Sequence, residues 1–200
     1  MDEFQKRYLE HQERKKEMIT EDTKIYNPEE YKFLKKVMER RRSQRVFNDV
    51  KVTDRDIDLL LEAIRVAPSS CNRQAVYAVI SDDMEYISNT LVGAKGWSNN
   101  GNKAILIFAD SRAYKSPNEK GFMPFLDAGF AAQNVYLMAE VLALGACYVN
   151  PNIREENKQA FIDKYGEDYF CGAFVIGHYD KKAKKPPLRE SVKKRWHFTQ

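Results

Sequence analysis

Between Phe125 and Leu144 the chain is apolar on every side, through Ala128, Phe130, Ala131, Val135, Leu137, Met138, Ala139, Val141 and Leu142. A helix with no polar face to offer water is expected to be buried, and twenty residues of it would run about 30 Å. Its small residues, Ala128, Gly129, Ala131 and Ala132, permit close approach by other helices of the core or by the same helix of a second subunit. The other stretches have weaker rhythms. Residues 2–19 alternate acids and bases with only Phe4, Tyr8, Leu9, Met18 and Ile19 to bury, which predicts a solvated helical arm over 1–27 ahead of one domain over 28–200. Asn27-Pro28-Glu29-Glu30 reads as a cap, a first-turn proline and an acid. It starts a helix with the face Tyr31, Leu34, Val37 and Met38.

Thr53-Asp54-Arg55-Asp56 caps a further helix that turns Ile57, Leu60, Leu61 and Ile64 inward and is terminated by Pro68. Short β-branched runs predict strands at 75–80, 104–109, 146–149 and 170–176. Helices are expected through Met84, Ile87 and Leu91 and over 153–165, with a polar rim or lid over 110–120. Strands separated by helices predict a layered α/β or α+β domain.

Composition narrows the class. With 43% apolar residues, the 200-residue chain can bury a core. No run of 18 apolar residues appears and the charged start lacks a signal-peptide core, so no membrane span is expected and the cytosol is the expected compartment. Cys71, Cys147 and Cys171 are odd in number and lack CxxC spacing, which predicts reduced thiols rather than disulfides or zinc. Residues 181–200 hold eight Lys/Arg and one Glu, a local +7 within a net charge of +4. Without a recognisable nucleic-acid motif beside it, that tail is not expected to bind nucleic acid.

Two polar stretches carry the candidate chemistry. Arg40-Arg41-Arg42-Ser43-Gln44-Arg45-Val46-Phe47 sets four arginines around a hydroxyl. Read alone, such a run can simply finish a helix against its dipole. In an extended stretch, however, Arg41, Ser43 and Arg45 share one side, with Arg42 and Gln44 on the other, and arginine forks suit a phosphate. Pro68-Ser69-Ser70-Cys71-Asn72-Arg73-Gln74 follows the helix ending near residue 67 and offers amides suited to the edge of a planar heterocycle. No Ser-His-Asp, Cys-His or paired-carboxylate arrangement is visible. His11, His178 and His197 are scattered, and no metal site or catalytic side chain is assigned.

Together these stretches resemble the nitroreductase family, whose pattern runs Arg-Arg-Ser-x-Arg-x-Phe and then Ala-Pro-Ser-x-x-Asn-x-Gln-Pro-Trp. Here Arg41 to Phe47 and Ala67 to Gln74 match in order, and Asp127-Ala128-Gly129-Phe130-Ala131-Ala132-Gln133-Asn134-Val135 is similar to the family's long central helix. The resemblance spans roughly residues 31–190. It departs at Ala75-Val76, where the family has Pro-Trp, and near residue 150, where the family's glycine is missing.

The resemblance implies a three-layer α+β fold with a mainly antiparallel sheet and an intertwined homodimer. It also implies an FMN flavoprotein, an oxidoreductase taking hydride from NAD(P)H to a small electron-poor acceptor, nitroaromatic or quinone, in ping-pong fashion. Arg41, Ser43 and Arg45 would then hold the FMN phosphate and its polyol, and Arg42 would reach the ring carbonyl. Pro68, Ser69, Ser70, Asn72 and Gln74 would reach the flavin of the neighbouring subunit. Asn150, Pro151 and Asn152 would present a backbone amide to the ring, and Lys185, two before a proline, would complete the phosphate site. Two alternatives stay open: a flavin-binding or sensory protein without turnover, and a dehalogenating or flavin-fragmenting member of the same superfamily.

Overall fold

A computed structural model describes residues 27–180. Residues 1–26 of the expected arm, Lys185 with the rest of the basic tail, His11 and His197 lie outside the described residues. Main-chain packing divides the chain between Lys36 and Val37. Helix α1 (Pro28–Arg40) crosses that division and starts as its sequence predicts, with the Asn27 side chain accepting the N–H of Glu29 at 3.0 Å. Its expected apolar face is only partly used, since Val37 is buried while Tyr31, Leu34 and Met38 are about half exposed.

The rest is built on four strands, β1 (Val76–Ser81), β2 (Lys103–Ala109), β3 (Gly145–Val149) and β4 (Tyr169–Gly177), in the order β1-β2-β4-β3 and antiparallel throughout. Strand β2 is covered on both faces. Its side chains alternate, so Ile105, Ile107 and Ala109 enter one core and Ala104, Leu106 and Phe108 the other. The first core is closed by α2 (Asp54–Arg65) through Ile57, Leu60 and Ile64, and by α5 (Met123–Val141) through Ala128, Ala131 and Val135. The second is closed by α3 (Met84–Thr90) through Met84 and Ile87, and by α6 (Lys158–Tyr165) through Phe161. Helix, sheet and helix make the three layers of the expected α+β fold.

Helix α2 carries the capping box its sequence announces: Thr53 Oγ1 accepts the Asp56 N–H, and the Asp56 carboxyl accepts that of Thr53. At the junction of β2 and β4 the register slips, Ile107 facing Gly172 and Phe108 facing Phe170, so Cys171 is the extra residue of a bulge. Gly172 takes φ +118°, and a Cβ there would run into the Tyr148 ring and within 2.7 Å of the Val149 carbonyl oxygen. The Tyr148 hydroxyl donates to the Cys171 carbonyl and closes the bulge.

Four expectations change. Helix α5 stops at Val141 rather than Leu144, because Ala143 takes φ +59°. The N–H of Leu144 then reaches Ala139 O at 2.8 Å and that of Ala143 reaches Glu140 O at 3.3 Å, a Schellman close. Nor is α5 buried all round. Phe122, Phe125, Leu126, Gly129, Phe130 and Gln133 lie exposed along one stripe, opposite Pro124, Asp127, Ala128 and Ala131. The helix expected over 153–165 begins only at Lys158, because Ile153 is taken into a bridge with Leu91 and a short 3-10 turn intervenes. The expected rim over 110–120 is pinned, with Tyr114 fully buried and a short helix α4 (Pro117–Lys120) following it.

Candidate functional site

The arginine strip leaves α1 and lies along the free edge of β3. Ser43 bridges Ala146 in parallel, and the Gln44 N–H donates to Ala146 O at 2.9 Å, which covers an otherwise open sheet edge. Alternation sends the Gln44 side chain inward, 8% exposed, where its amide donates to Val46 O. Ser43 faces α5, its Oγ 3.1 Å from the Tyr136 hydroxyl. The Arg41 guanidinium lies over the Tyr136 ring, 4.6 Å from its centre. Arg45 turns to the Trp97 ring, 5.6 Å away, and Trp97 packs with the core on the opposite face of the sheet. The regular bridge ends at Ser43, so the three side chains wrap the edge of β3 instead of standing in one row.

Among the described residues, Arg40, Arg65, Arg73 and Arg112 each have a carboxylate partner, while Arg41 and Arg45 have aromatic seats instead. A cation on an aromatic face keeps its charge available to a further anion. Cys147, on β3 between them, is buried and feels both guanidiniums. Burial pushes its thiol up, against the pull of Arg45, Ser43 and Arg41, and no thiolate stands in for the anion. The Arg42 guanidinium is occupied at the end of α1, donating to Glu39 O at 2.6 Å and Arg41 O at 2.7 Å. This is a helix C-terminal contact of the kind a cation makes with unsatisfied carbonyls.

At the end of β3, Asn150, Pro151 and Asn152 are exposed, and Asn152 O accepts the Val92 N–H at 2.9 Å. The neighbouring Gly93 carbonyl accepts the Trp97 indole N–H at 2.9 Å, so this corner adjoins the Arg45 seat.

The loop from Pro68 to Gln74 sits elsewhere. Its backbone takes positive φ at Cys71, Asn72 and Gln74, each +52°. Ser69 Oγ accepts the Gln74 N–H at 2.9 Å, and the Gln74 amide donates to Asn72 Oδ1 at 3.3 Å. Asp127, 1% exposed, bolts the loop to α5. One carboxyl oxygen accepts the Ser70 N–H and the other the hydroxyl of the buried Tyr114, both at 2.9 Å. Arg73 is held by Glu119 at 2.9 Å and lies over the Tyr114 ring.

From Asp127 to Tyr136, α5 rises about 14 Å. The loop and the arginine strip of one chain therefore stand at separate stations along the same helix. The sequence pattern does not single out Tyr136, Trp97 or Tyr114: Tyr136 lies in an apolar run that reads as core, and Trp97 and Tyr114 are isolated rings in polar loops. The signal that could have exposed Asp127 is its position as the lone acid in the first three turns of that apolar helix.

An antiparallel sheet between helical layers, with two arginines seated on aromatic rings at its edge, defines a three-layer α+β protein. Residues 38–94 and 84–178 match the nitroreductase family, and the chain belongs to it. It is 30% identical to the FMN reductase (NAD(P)H) of Bacillus subtilis strain 168, over 76% of this chain and 68% of that protein. The FMN-dependent nitroreductase of Clostridium difficile superposes with a TM-score of 0.65 at 25% identity, covering 82% of this chain and 98% of that one. The nitroreductase family protein of Streptococcus pneumoniae superposes with 0.71 at 15% identity, covering 82% and 98%.

Proposed function

We propose that this protein is an FMN-dependent oxidoreductase, passing hydride from NAD(P)H to a small electron-poor acceptor such as a quinone or nitroaromatic. The observation that carries the reading is the pair Arg41 and Arg45, seated on aromatic rings around the edge of β3 with Ser43 between them. That donor set fits a phosphate: two planar forks and a hydroxyl, with no carboxylate competing for them among the described residues. The names of the Bacillus subtilis and Clostridium difficile relatives support FMN as the group that brings the phosphate.

In this reading Arg41, Ser43 and Arg45 bind the phosphate end, and Arg42 fixes the end of α1 beside them. The corner at Asn150, Pro151 and Asn152 borders the ring, and Lys185 would add a further cation. Pro68, Ser69, Ser70, Asn72 and Gln74 come from a second copy of the chain. Two observations favour that homodimer: the distance between loop and strip in one chain, and the exposed apolar stripe of α5, which a second copy would cover. A bound flavin supplies the electron chemistry, and the chain supplies orientation and electrostatics. The three free cysteines fit a reducing compartment such as the cytosol.

The test is direct. Purified protein, reconstituted if necessary, should release FMN on heating, and should oxidise NADH or NADPH steadily when a quinone is added. Released FAD, or no flavin uptake at all, would remove the cofactor assignment. Bound FMN without turnover would favour the sensory alternative.

A further inference from the structure

Tyr136 makes four contacts, two of them to the arginine strip. Its ring supports the Arg41 guanidinium at 4.6 Å and is itself held edge-on by the buried Phe174, with ring centres 4.8 Å apart. Its hydroxyl lies 2.9 Å from the Tyr148 backbone N and 3.1 Å from Ser43 Oγ. An amide nitrogen can only donate, so the Tyr136 oxygen accepts there and keeps its own proton and a second lone pair for the contact with Ser43.

We propose that Tyr136 is a positioning residue for the phosphate site, its ring carrying Arg41 and its hydroxyl, anchored by the Tyr148 amide, holding Ser43 Oγ in place. The inference rests on the reading of Arg41, Ser43 and Arg45 as the FMN phosphate site. It adds a residue on the central helix that takes no part in binding directly. The isolated bridge of the strip is at Ser43, and Tyr136 is the ring the Arg41 guanidinium rests on and the hydroxyl that Ser43 Oγ meets. The amide of Tyr148 ties this arrangement to β3 and to the bulge that Tyr148 closes at Cys171.

The experiment compares FMN and riboflavin affinities, by flavin fluorescence quenching, for the flavin-free parent, Tyr136→Phe and Tyr136→Leu. Riboflavin has the ring and polyol without the phosphate, so the FMN-to-riboflavin ratio reports the phosphate contacts alone. Tyr136→Phe keeps the seat and loses the hydroxyl, and FMN should bind about fivefold more weakly. Tyr136→Leu loses both, and the loss should exceed about tenfold. Riboflavin should change by less than about twofold in each. An unchanged ratio in Tyr136→Phe, or parallel loss of both ligands, would overturn the proposal and leave Tyr136 as a core residue. If Tyr136→Leu fails to fold, Tyr136→Phe decides alone, because Phe preserves the ring packing on Phe174. A parent that binds FMN and riboflavin equally would instead remove the phosphate reading itself, which separates the two failures.

Discussion

The carboxyl group of Asp127 accepts the backbone N–H of Ser70 at 2.9 Å across 57 positions of sequence, from within the face of α5 that packs on the core. Its second oxygen holds the hydroxyl of Tyr114, so one side chain satisfies a buried hydroxyl and a half-buried amide and joins the strained loop to the central helix. Replacement by alanine would strand both donors. Asp127→Ala should lose about 2–4 kcal/mol of stability, read by denaturant unfolding. Proteolysis should show cleavage at the 69–74 loop first. A variant as stable as the parent, with the loop still protected, would mean that the loop is held by Arg73 and Glu119 alone.

Ala143 closes α5 in the left-handed region, φ +59°, where a Cβ is unfavourable. Ala143→Gly removes that strain and adds some unfolded-state freedom. The net effect should be a gain of about 0.5 kcal/mol, or about 1–2 °C in Tm. Calorimetry checks the sign, which reverses if the Schellman close does not form in solution.

The Asp56 carboxyl is held below its usual range, chiefly by the Thr53 side chain, with smaller help from the Thr53 backbone, His178 and Arg55. A depressed folded value means the carboxylate is preferred in the folded state. Its contribution is therefore present above the ordinary pKa of 3.8 and is lost as pH falls through the lowered value. Thr53→Ala should cost about 1 kcal/mol near neutral pH and less near pH 3. Urea unfolding at both values tests this, and a cost independent of pH would show that the Asp56 charge is not part of the cap.

Phe125, Leu126 and Phe130 are 42%, 47% and 42% exposed along α5. The proposed dimer predicts that Phe130→Glu, which sets a charge in a buried seam, shifts sedimentation from dimer to monomer and loosens flavin binding with it. A parent that sediments as a flavin-loaded monomer would refute the two-copy site.

Arg41→Ala should weaken FMN binding about ten- to a hundredfold, the loss of a charge-assisted contact worth about 1.5–3 kcal/mol. Riboflavin affinity should hardly change. Arg42→Ala makes the contrast, since Arg42 caps the end of α1. Its effect should appear in thermal stability more than in the FMN-to-riboflavin ratio. Equal ratios for the two variants would mean that position 41 has no special access to the anion.

Local chemistry in the sequence determined much of this protein. The capping box at Thr53 and Asp56, the strands to within a residue or two and the buried alternation of β2 follow from short-range periodicity and side-chain type. The Arg41, Ser43 and Arg45 strip and the 68–74 loop were legible as polar islands between periodic segments. Tertiary structure decided what those islands touch. That Arg41 sits on Tyr136, that Arg45 crosses to Trp97 and that Arg42 is spent on the end of α1 depend on where β3 and α5 bring distant side chains. Helix α5 shows the limit most plainly, because its hydrophobicity has no direction. Which face meets the sheet and which is left for another surface shows only in the packing, where Ala128, Ala131 and Val135 enter the core and Asp127 accepts donors from residues 70 and 114. A hydrophobic pattern records how much surface must leave water, and only the packed neighbours decide against what.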